Sequence, residues 1–316
     1  MTNKLFVGID TSCYTTSVAC ASGEGIVFEK RTMLSVPMGS RGLRQSDAVF
    51  QHIKNLPALM TALYEAIDPA DVCMVAVSGK PTAEQDSYMP VFLAGRAVAV
   101  SAAAARGVPL YETNHQMGHV RAALLGNDAL KDHDTFLALH LSGGTTDILR
   151  VTMKDRCIAS VACLGGSDDL HAGQFVDRVG VRLGLPFPSG QSLETMAMQA
   201  KKRSIRLPST VRGLHCSFSG QESQALRMWN EGVRNEEIAF AVYDCLARTV
   251  AKLIENALAE APRSAVLLSG GVSGSLLLRE LLSERIKASI YYAGSGLSGD
   301  NAVGTALLAM DRFGDA

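Results

Sequence analysis

The sequence has almost no excess of charge of either sign. Its 316 residues include 30 Lys and Arg against 31 Asp and Glu, which gives a formal net charge of −1 at pH 7. A polyanion such as nucleic acid is attracted by concentrated positive charge. The chain as a whole has no field of that kind, so a contact with nucleic acid would need a local basic patch.

Disulfide frameworks and membrane segments are also missing from the sequence. The seven cysteines are an odd number and include no Cys-x-x-Cys pair, which favours a reducing compartment. No stretch reaches the roughly 18 uncharged apolar residues that a membrane helix needs, and the first residues have no signal-peptide core. These absences predict a soluble cytoplasmic protein with no membrane partner.

Apolar residues, by contrast, are plentiful. They make up 47% of the chain, and strand-like runs alternate with helical ones throughout, which is typical of an α/β protein. A length of 316 residues exceeds what one core usually supports and predicts two lobes. We expect an N-terminal lobe over residues 1–112, joined by the last helix at 300–316, and a C-terminal lobe over 113–299.

Three strings rich in small residues each follow an apolar run, at residues 8–18, 141–147 and 268–275. Glycine lets backbone N–H groups approach an anion closely, and Ser or Thr hydroxyls add hydrogen bonds. The first two strings lead into another apolar run and predict β-hairpins, whereas the third leads into a helix. Two phosphate hairpins and a later nucleoside turn are typical of the two-lobed actin-like (ASKHA) ATPase fold, with related sheets flanked by helices.

A pair of histidines predicts a metal site. His115 and His119 are four residues apart on a predicted helix that Asn114 can cap, so both imidazoles lie on one face. Two surface histidines at chance spacing are the alternative interpretation. Gln116 stands where a zinc protease has its glutamate base, and because an amide takes up no proton, peptide hydrolysis is excluded. We nominate Asp300, at the start of the last helix, as a third ligand.

The motifs together resemble the tRNA threonylcarbamoyladenosine transferases of the TsaD type, a glycoprotease family in older nomenclature. The matching strings are Gly-Ile-Asp-Thr-Ser-Cys at 8–13, Asn-His-x-x-Gly-His at 114–119, Leu-Ser-Gly-Gly at 141–144, Phe-Val-Asp at 175–177, Leu-Gly-Leu-Pro-x-Pro at 183–188, Cys-Ser-Phe-Ser-Gly at 216–220, Gly-Gly-Val-Ser at 270–273 and Gly-Asp-Asn-Ala at 299–302. They cover essentially the whole chain. The family belongs to the superfamily of actin-like ATPases and sugar kinases.

This resemblance implies two ligand sites in the cleft between the lobes. One holds a divalent metal ion, iron or zinc, through His115, His119, Asp300 and, as a further candidate, His140. The other holds ATP or an acyl-adenylate, with or without Mg²⁺, through Ser142, Gly143, Gly144, Asp177 and Gly190. From the three glycine-rich strings we add Thr11, Ser12, Thr145, Gly270, Gly271 and Ser275 as candidate nucleotide contacts. In the family, the N6 amine of an adenosine in the tRNA anticodon loop attacks threonylcarbamoyl-adenylate, and the metal helps to orient the acyl donor.

Several positions depart from the family's pattern. Tyr14 and Thr15 follow the first string where the family usually has two carboxylates. Thr145 stands in the second turn where the family has His or Asn, and Ser275 replaces an Asn that contacts the nucleotide. The chain therefore looks like a divergent paralogue whose substrate can differ from that of its relatives.

The expected function is a metal-dependent transferase that moves a threonylcarbamoyl or carbamoyl group from an adenylate. The expected acceptor is adenosine of tRNA, and partner proteins of a tRNA-modification assembly are candidates. One alternative is a nucleotide-binding scaffold that has lost catalysis, and another is a small-molecule kinase of the same superfamily. Because neither alternative needs two histidines and a carboxylate for a metal, these ligands favour the transferase.

Overall fold

The computed structural model describes residues 4–12, 14–36, 43–261, 264–294, 296–297 and 299–314. Cys13 of the first glycine-rich string and the two ends of the predicted N-terminal lobe, 1–3 and 315–316, lie outside these residues. Contacts divide the chain into two compact units. The first comprises residues 1–126, 154–161 and 299–316, and the second comprises residues 127–153 and 162–298.

The first unit is built on a five-stranded sheet with helices. Its elements are β1 Leu5–Ser12, β2 Thr15–Ser22, β3 Gly25–Met33, α1 Gln45–Ala66, β4 Val72–Lys80, α2 Phe92–Arg106, β5 Leu110–Asn114, α3 His115–Ala123 and α9 Val303–Gly314. The strands lie in the order β3-β2-β1-β4-β5. The pairs β1–β2 and β2–β3 are antiparallel, and the pairs β1–β4 and β4–β5 are parallel.

The remaining strands form a second sheet in the order β12-β11-β6-β7-β8-β10-β9. These strands and their helices are β6 Thr135–Leu141, β7 Thr146–Lys154, β8 Cys157–Ser167, α4 Ala172–Arg182, α5 Gly190–Met198, β9 Thr210–Arg212, β10 His215–Ser217, α6 Ser219–Asn230, α7 Asn235–Glu260, β11 Val266–Ser269, α8 Leu276–Ser283 and β12 Ile290–Tyr292. Across the described ranges, none of the helices combines the length and the hydropathy that crossing a membrane requires.

The two sheets repeat one strand order. The order β3-β2-β1-β4-β5 of the first corresponds to β8-β7-β6-β11-β12 in the second. In each, the first two strands of the repeat form an antiparallel hairpin, and the first strand also pairs in parallel with a later strand. Both predicted hairpins are confirmed, and so is the predicted α/β fold with related sheets flanked by helices.

Strand β1 lies at the centre of the first unit and is buried along its whole length. Val7 and Ile9 pack into one apolar core with residues of α1 and α2, whereas Phe6 packs with Ala309 of α9. Burying a side chain of this size contributes about 1.5–3 kcal/mol. Because α9 covers one face of β1, residues from the far end of the sequence help to build the first unit.

Candidate functional site

Asn114 starts the helix that carries the histidine pair. It ends β5, and its Oδ1 accepts a hydrogen bond from the Met117 backbone N–H at 2.9 Å, so it caps α3 as the sequence predicts. The helix begins at His115. Because four residues make about one turn, His115 and His119 project from the same face, and their ring centroids are 4.2 Å apart.

Helix α9 crosses α3 where neither helix has a side chain. A Cβ atom at position 304 would overlap the Gly118 carbonyl oxygen, so the crossing requires glycine at Gly304. Farther along, Arg121 Nη2 donates a hydrogen bond to Asp311 Oδ1 at 2.9 Å, and both side chains are largely buried. The close crossing brings Asp300, which precedes α9, beside the two histidines.

Three candidate ligand atoms converge at this crossing. His119 Nε2 lies 2.9 Å from His115 Nε2 and 3.2 Å from Asp300 Oδ1. His115 Nε2 lies 3.5 Å from the same Asp300 oxygen. Two ligands of a tetrahedral zinc ion, at ordinary bond lengths, are about 3.3 Å apart. The triangle has this size, and two imidazoles with a carboxylate suit zinc or iron, so the residues fit a divalent metal ion.

The charges at the site favour a cation. Burial opposes protonation of His115, but the carboxylates of Asp10 and Asp300 raise the pKa of its imidazole to about 10. Burial and the neighbouring His115 hold the pKa of His119 below its ordinary value. Burial would raise the pKa of Asp300, but both histidines hold it well below its usual range. The carboxylates of Asp10 and Asp300 therefore stabilise positive charge between them. A metal ion can replace the proton on His115 Nε2, the nitrogen that faces His119 and Asp300.

Asp10 lies behind His115 and is not among the residues that the sequence predicts for the site. Its carboxylate is 1% exposed, with Oδ2 2.9 Å from His115 Nδ1, and its Oδ1 accepts the Ser12 backbone N–H at 2.9 Å. Burial would raise the pKa of Asp10, but the His115 imidazole and hydrogen bonds hold it below the ordinary value. A single carboxylate in the otherwise apolar and hydroxyl-bearing β1 is the signal that could have identified it.

His140, the further candidate ligand, belongs to the second unit. Its Nδ1 lies 3.1 Å from Ser269 Oγ on the neighbouring β11, and its ring is buried. Among the described residues, the group that could hold a metal consists of His115, His119 and Asp300. The role of His140 as a ligand stays a prediction.

The second glycine-rich string forms an open turn between β6 and β7. Ser142 Oγ accepts the backbone N–H groups of Gly144 at 3.2 Å and Thr145 at 3.0 Å, and Gly143 and Gly144 are exposed. Helix α4 starts against this turn, because the Gly173 N–H donates to the Ser142 carbonyl at 2.9 Å. A Cβ at Gly173 would lie 2.6 Å from the Gly143 nitrogen. A glycine turn beside a helix start is suited to an anion.

Asp177 and Gly190 are held by neighbouring groups of the second unit. Asp177 Oδ1 accepts the Ser189 backbone N–H at 2.7 Å, and the Tyr243 hydroxyl donates to the Gly190 carbonyl at 2.8 Å. Burial raises the pKa of both Asp177 and Tyr243 above their ordinary values. Tyr243 is not among the predicted site residues, since it lies inside the apolar pattern of α7, where the sequence offers no signal.

The third string forms the predicted turn between a strand and a helix. The Gly270 carbonyl accepts the Ser273 backbone N–H at 3.0 Å and its hydroxyl at 2.8 Å, and Gly271 is exposed. Ser275 Oγ accepts the Leu278 N–H at 3.1 Å and so caps α8. The Ser275 hydroxyl, which stands where the family has Asn, therefore caps the N-terminus of α8.

The first string is closed by contacts with α2. Thr11 Oγ1 donates to the Val91 carbonyl at 2.9 Å and accepts the Gly95 N–H at 3.1 Å. Ser12 is fully buried. Both residues stay predicted nucleotide contacts, but the Thr11 hydroxyl is already bonded on two sides.

Comparison with known sequences decides the family. The sequence profile of TsaD, tRNA N6-adenosine threonylcarbamoyltransferase, matches residues 26–307. The chain belongs to the TsaD family. The matched range includes His115, His119 and Asp300. Membership confirms the resemblance seen in the sequence and the predicted enzyme class, an acyl-type transferase and not a protease.

TsaD relatives align with most of this chain. A tRNA N6-adenosine threonylcarbamoyltransferase of Thermus thermophilus is 30% identical over 312 residues, which are 97% of this chain and 92% of the relative. That of Methanopyrus kandleri is 29% identical over 302 residues, 93% of this chain and 84% of the relative. A probable bifunctional tRNA threonylcarbamoyladenosine biosynthesis protein of Methanocaldococcus jannaschii is 26% identical, and this chain spans 54% of its length.

Solved structures similar to this chain share its fold. Component A of the (R)-2-hydroxyglutaryl-CoA dehydratase of Acidaminococcus fermentans superposes with a TM-score of 0.61 at 16% identity, covering 98% of both chains. A ROK-family glucokinase from Streptomyces griseus gives 0.54 at 13% identity, covering 97% of this chain and 99% of the other. At these identities the likeness shows the fold alone, and it confirms the actin-like ATPase fold.

Proposed function

We propose that this TsaD-family protein transfers a threonylcarbamoyl or carbamoyl group from an acyl-adenylate to the N6 amine of an adenosine in tRNA. The observation that carries the proposal is the convergence of His115, His119 and Asp300 in a chain of this family. Relatives at 29–30% identity bear the name of this transferase. A protein that only binds nucleotide would have no need for three converging metal-ligating groups.

His115, His119 and Asp300 would hold one divalent ion, iron or zinc. When bound, such an ion supplies Lewis-acid chemistry and a template for an oxygen of the acyl donor. The protein's residues bind and orient it, since the ligand atoms lie on the rigid α3 and on the segment just before α9. Gln116 takes up no proton, so this helix supplies no general base of the kind a metalloprotease needs.

For the nucleotide, the proposal uses the second unit. The phosphate of the adenylate would lie at the turn formed by Ser142, Gly143, Gly144 and Thr145, where two exposed glycines adjoin the start of α4. The nucleoside would lie near Asp177, Gly190, Gly270, Gly271 and Ser275. Backbone N–H groups fixed in a turn stabilise anionic oxygen without reorganising, so the same turn would favour departure of the phosphate.

The transfer itself is balanced without a redox partner. The adenosine N6 nitrogen attacks the carbamoyl carbon and forms a C–N bond. The bond from that carbon to the phosphate oxygen breaks, AMP leaves with the electron pair, and the surplus amine proton passes to solvent. The residues of the two sites have to hold the acyl-adenylate and exclude unproductive orientations. Most of the rate enhancement of such a step can arise from this positioning.

The departures from the family pattern support a second candidate, a non-catalytic nucleotide-binding subunit of a tRNA-modification assembly. Tyr14 and Thr15 remove two carboxylates, and Thr145 and Ser275 alter the nucleotide turns. The engagement of the Ser275 hydroxyl with α8 strengthens this alternative, because its oxygen already accepts the Leu278 N–H and the shorter side chain offers fewer hydrogen-bonding groups than an amide. Activity on ordinary tRNA would then be weak or require partner proteins.

The deciding experiment is a reconstituted reaction. The protein is incubated with bicarbonate, threonine, ATP, an adenylate-forming enzyme and unmodified tRNA, and the digested tRNA is searched by mass for threonylcarbamoyladenosine. We expect product with the wild-type protein and at least a 100-fold loss in His119→Ala. His215→Ala, which removes an exposed imidazole of the second unit, is the matched control and should keep full activity.

Each outcome has a distinct meaning. Product that depends on His119 but not on His215 supports the transferase. If no product forms with any partner set while metal and nucleotide still bind, the scaffold replaces the transferase as the best account. Product that is unchanged in His119→Ala contradicts the role of the metal centre.

A further inference from the structure

We propose that Asp10 positions His115 for the metal, so that β1 forms part of the metal centre. The inference rests on the proposed metal site and adds a residue outside the ligand set. Asp10 Oδ2 lies 2.9 Å from His115 Nδ1, on the side of the ring opposite to the ligand cluster. His115 Nε2 is the atom that faces His119 and Asp300.

The carboxylate fixes which ring nitrogen carries the proton. An ionised Asp10 only accepts hydrogen bonds, so it requires an N–H at His115 Nδ1. The lone pair of the neutral ring is then on Nε2, where it is directed at the other two ligand groups. Carboxylates that hold a metal-binding histidine in this way set the ring orientation and raise the basicity of the ligand.

Asp10 is itself held rigidly. In the antiparallel hairpin, Asp10 pairs with Ser17 of β2. The Oδ1 atom of Asp10 accepts the Ser12 backbone N–H at 2.9 Å. The side chain is 1% exposed, so it has little freedom to rotate. A rigid acceptor on a central strand restricts the His115 ring more firmly than an acceptor on a surface loop would.

The same contacts count against the other use of a carboxylate at this position, direct binding of a nucleotide-bound Mg²⁺. Such a role needs an oxygen that is accessible to the ion. Both oxygens of Asp10 are engaged, one by Ser12 and one by His115, and the group is buried. The geometry assigns Asp10 to the imidazole.

Zinc affinity is the first test. Wild-type protein, Asp10→Ala and the nearly isosteric Asp10→Asn are titrated with zinc against a chromophoric chelator, without tRNA or nucleotide. We expect affinity to fall about 10- to 100-fold in Asp10→Ala, and less in Asp10→Asn, which can still accept from the ring N–H. Asp244→Asn is the matched control, since it removes a buried carboxylate of the second unit and should leave zinc affinity within twofold. Thermal unfolding identifies any variant that is not folded.

The ring proton is the second test, because a purely structural role for Asp10 would not specify it. In zinc-loaded wild-type protein labelled with ¹⁵N-histidine, we expect the His115 proton on Nδ1, in slow exchange with water. Exchange of this proton should accelerate at least tenfold in Asp10→Ala. A proton on Nε2, an unchanged exchange rate, or zinc affinity within twofold of wild type in folded Asp10→Ala would each overturn the proposal. Because no readout involves acyl transfer, failure of the proposed function would be seen separately.

Discussion

The hairpins β1–β2 and β6–β7 occupy equivalent places in their sheets, and both have hydroxyl residues near the turn. The second also has two glycines in its turn, whereas Gly8 of the first lies within β1. In the first, Asp10, Thr11 and Thr16 bond to groups of α3, α1 or the start of α2. In the second, Ser142 Oγ bonds within its own turn, and Gly143 and Gly144 stay exposed. The second hairpin also contacts the start of α4, where Thr146 Oγ1 accepts the Ala172 N–H at 2.7 Å. The first hairpin is therefore closed by contacts with helices, whereas the turn of the second is open at its glycines.

This difference shows that a string of small residues predicts a tight turn but not its availability to a ligand. A hydroxyl that bonds inside the core contributes about 1 kcal/mol to stability and is then not free to bind phosphate. The backbone N–H groups of an exposed turn keep that ability. We therefore expect the first hairpin to support the metal centre and the second to bind the nucleotide.

The largest expected effect separates metal binding from nucleotide binding. His115→Ala removes one of the three candidate ligands found among the described residues, so we expect stoichiometric metal to be lost. Nucleotide affinity should stay within twofold, because the predicted phosphate turn belongs to the second unit. Metal content by ICP-MS and nucleotide calorimetry on the same preparation test both statements. Full metal occupancy in this variant would place the ion elsewhere.

A closed hairpin also carries a sensitivity to acid. His52 is fully buried with Nδ1 2.9 Å from Thr16 Oγ1, and burial lowers its pKa to about 4. In the unfolded chain the pKa of a histidine is about 6.5. Neutral His52 therefore gives its full contribution to the free energy of unfolding above pH 6.5, and as the pH falls towards 4 the protein loses about 3 kcal/mol of stability at most. Hydrogen exchange of the β1–β2 amides at pH 7 and pH 4.5 measures it. Equal acid sensitivity in His52→Gln would show that another group is responsible.

The open turn is tested by Gly144→Val. A branched side chain there would occupy space where the backbone has to approach phosphate, so nucleotide affinity should fall about tenfold or more. Metal content should not change. Calorimetry with ATP measures the effect, and Gly220→Val, at an exposed glycine with open space around it, controls for the substitution itself. Unchanged affinity in Gly144→Val would refute the location of the phosphate.

The smallest effect concerns Thr11→Val. Valine has nearly the same shape but lacks the hydroxyl that bonds the Val91 carbonyl and the Gly95 N–H. Because the Val91 carbonyl still accepts the Ala94 N–H at 3.3 Å, we expect stability to fall by about 1 kcal/mol. Urea unfolding measures this change. We expect nucleotide affinity to fall less than in Gly144→Val. A larger fall would make the first hairpin a phosphate turn as well and remove the contrast between the two.

Local patterns explain what could be predicted from the sequence. The hairpins and the turn before α8 follow from strings of adjacent small residues. The order of these strings along the chain predicts two related sheets, whereas the strand order within each sheet is seen only in the structure. The spacing of His115 and His119 is a property of one helix, and Asn114 marks its start. Asp300 could be predicted because a carboxylate between a strand and the following helix is a common ligand position.

The remaining features depend on contacts between distant parts of the chain. Asp10 and His115 are 105 residues apart, and no periodicity links them. The same holds for the crossing at Gly304, where the absence of a Cβ matters only because α3 passes there. The hydroxyls of Thr11 and Ser275 looked available in the sequence, and tertiary and capping bonds engage them.

The crossing of α3 and α9 has a consequence for protein synthesis. His119 and Asp300 are 181 residues apart, and the whole second unit is encoded between them. The ribosome therefore releases the second unit before it releases the segment that covers β1 and completes the ligand triangle. A prematurely terminated chain would lack the proposed third ligand and would leave the α9-facing side of β1 uncovered. Metal retention would therefore distinguish full-length chains from chains that end before α9. The shorter chains would also present an apolar surface to chaperones and proteases.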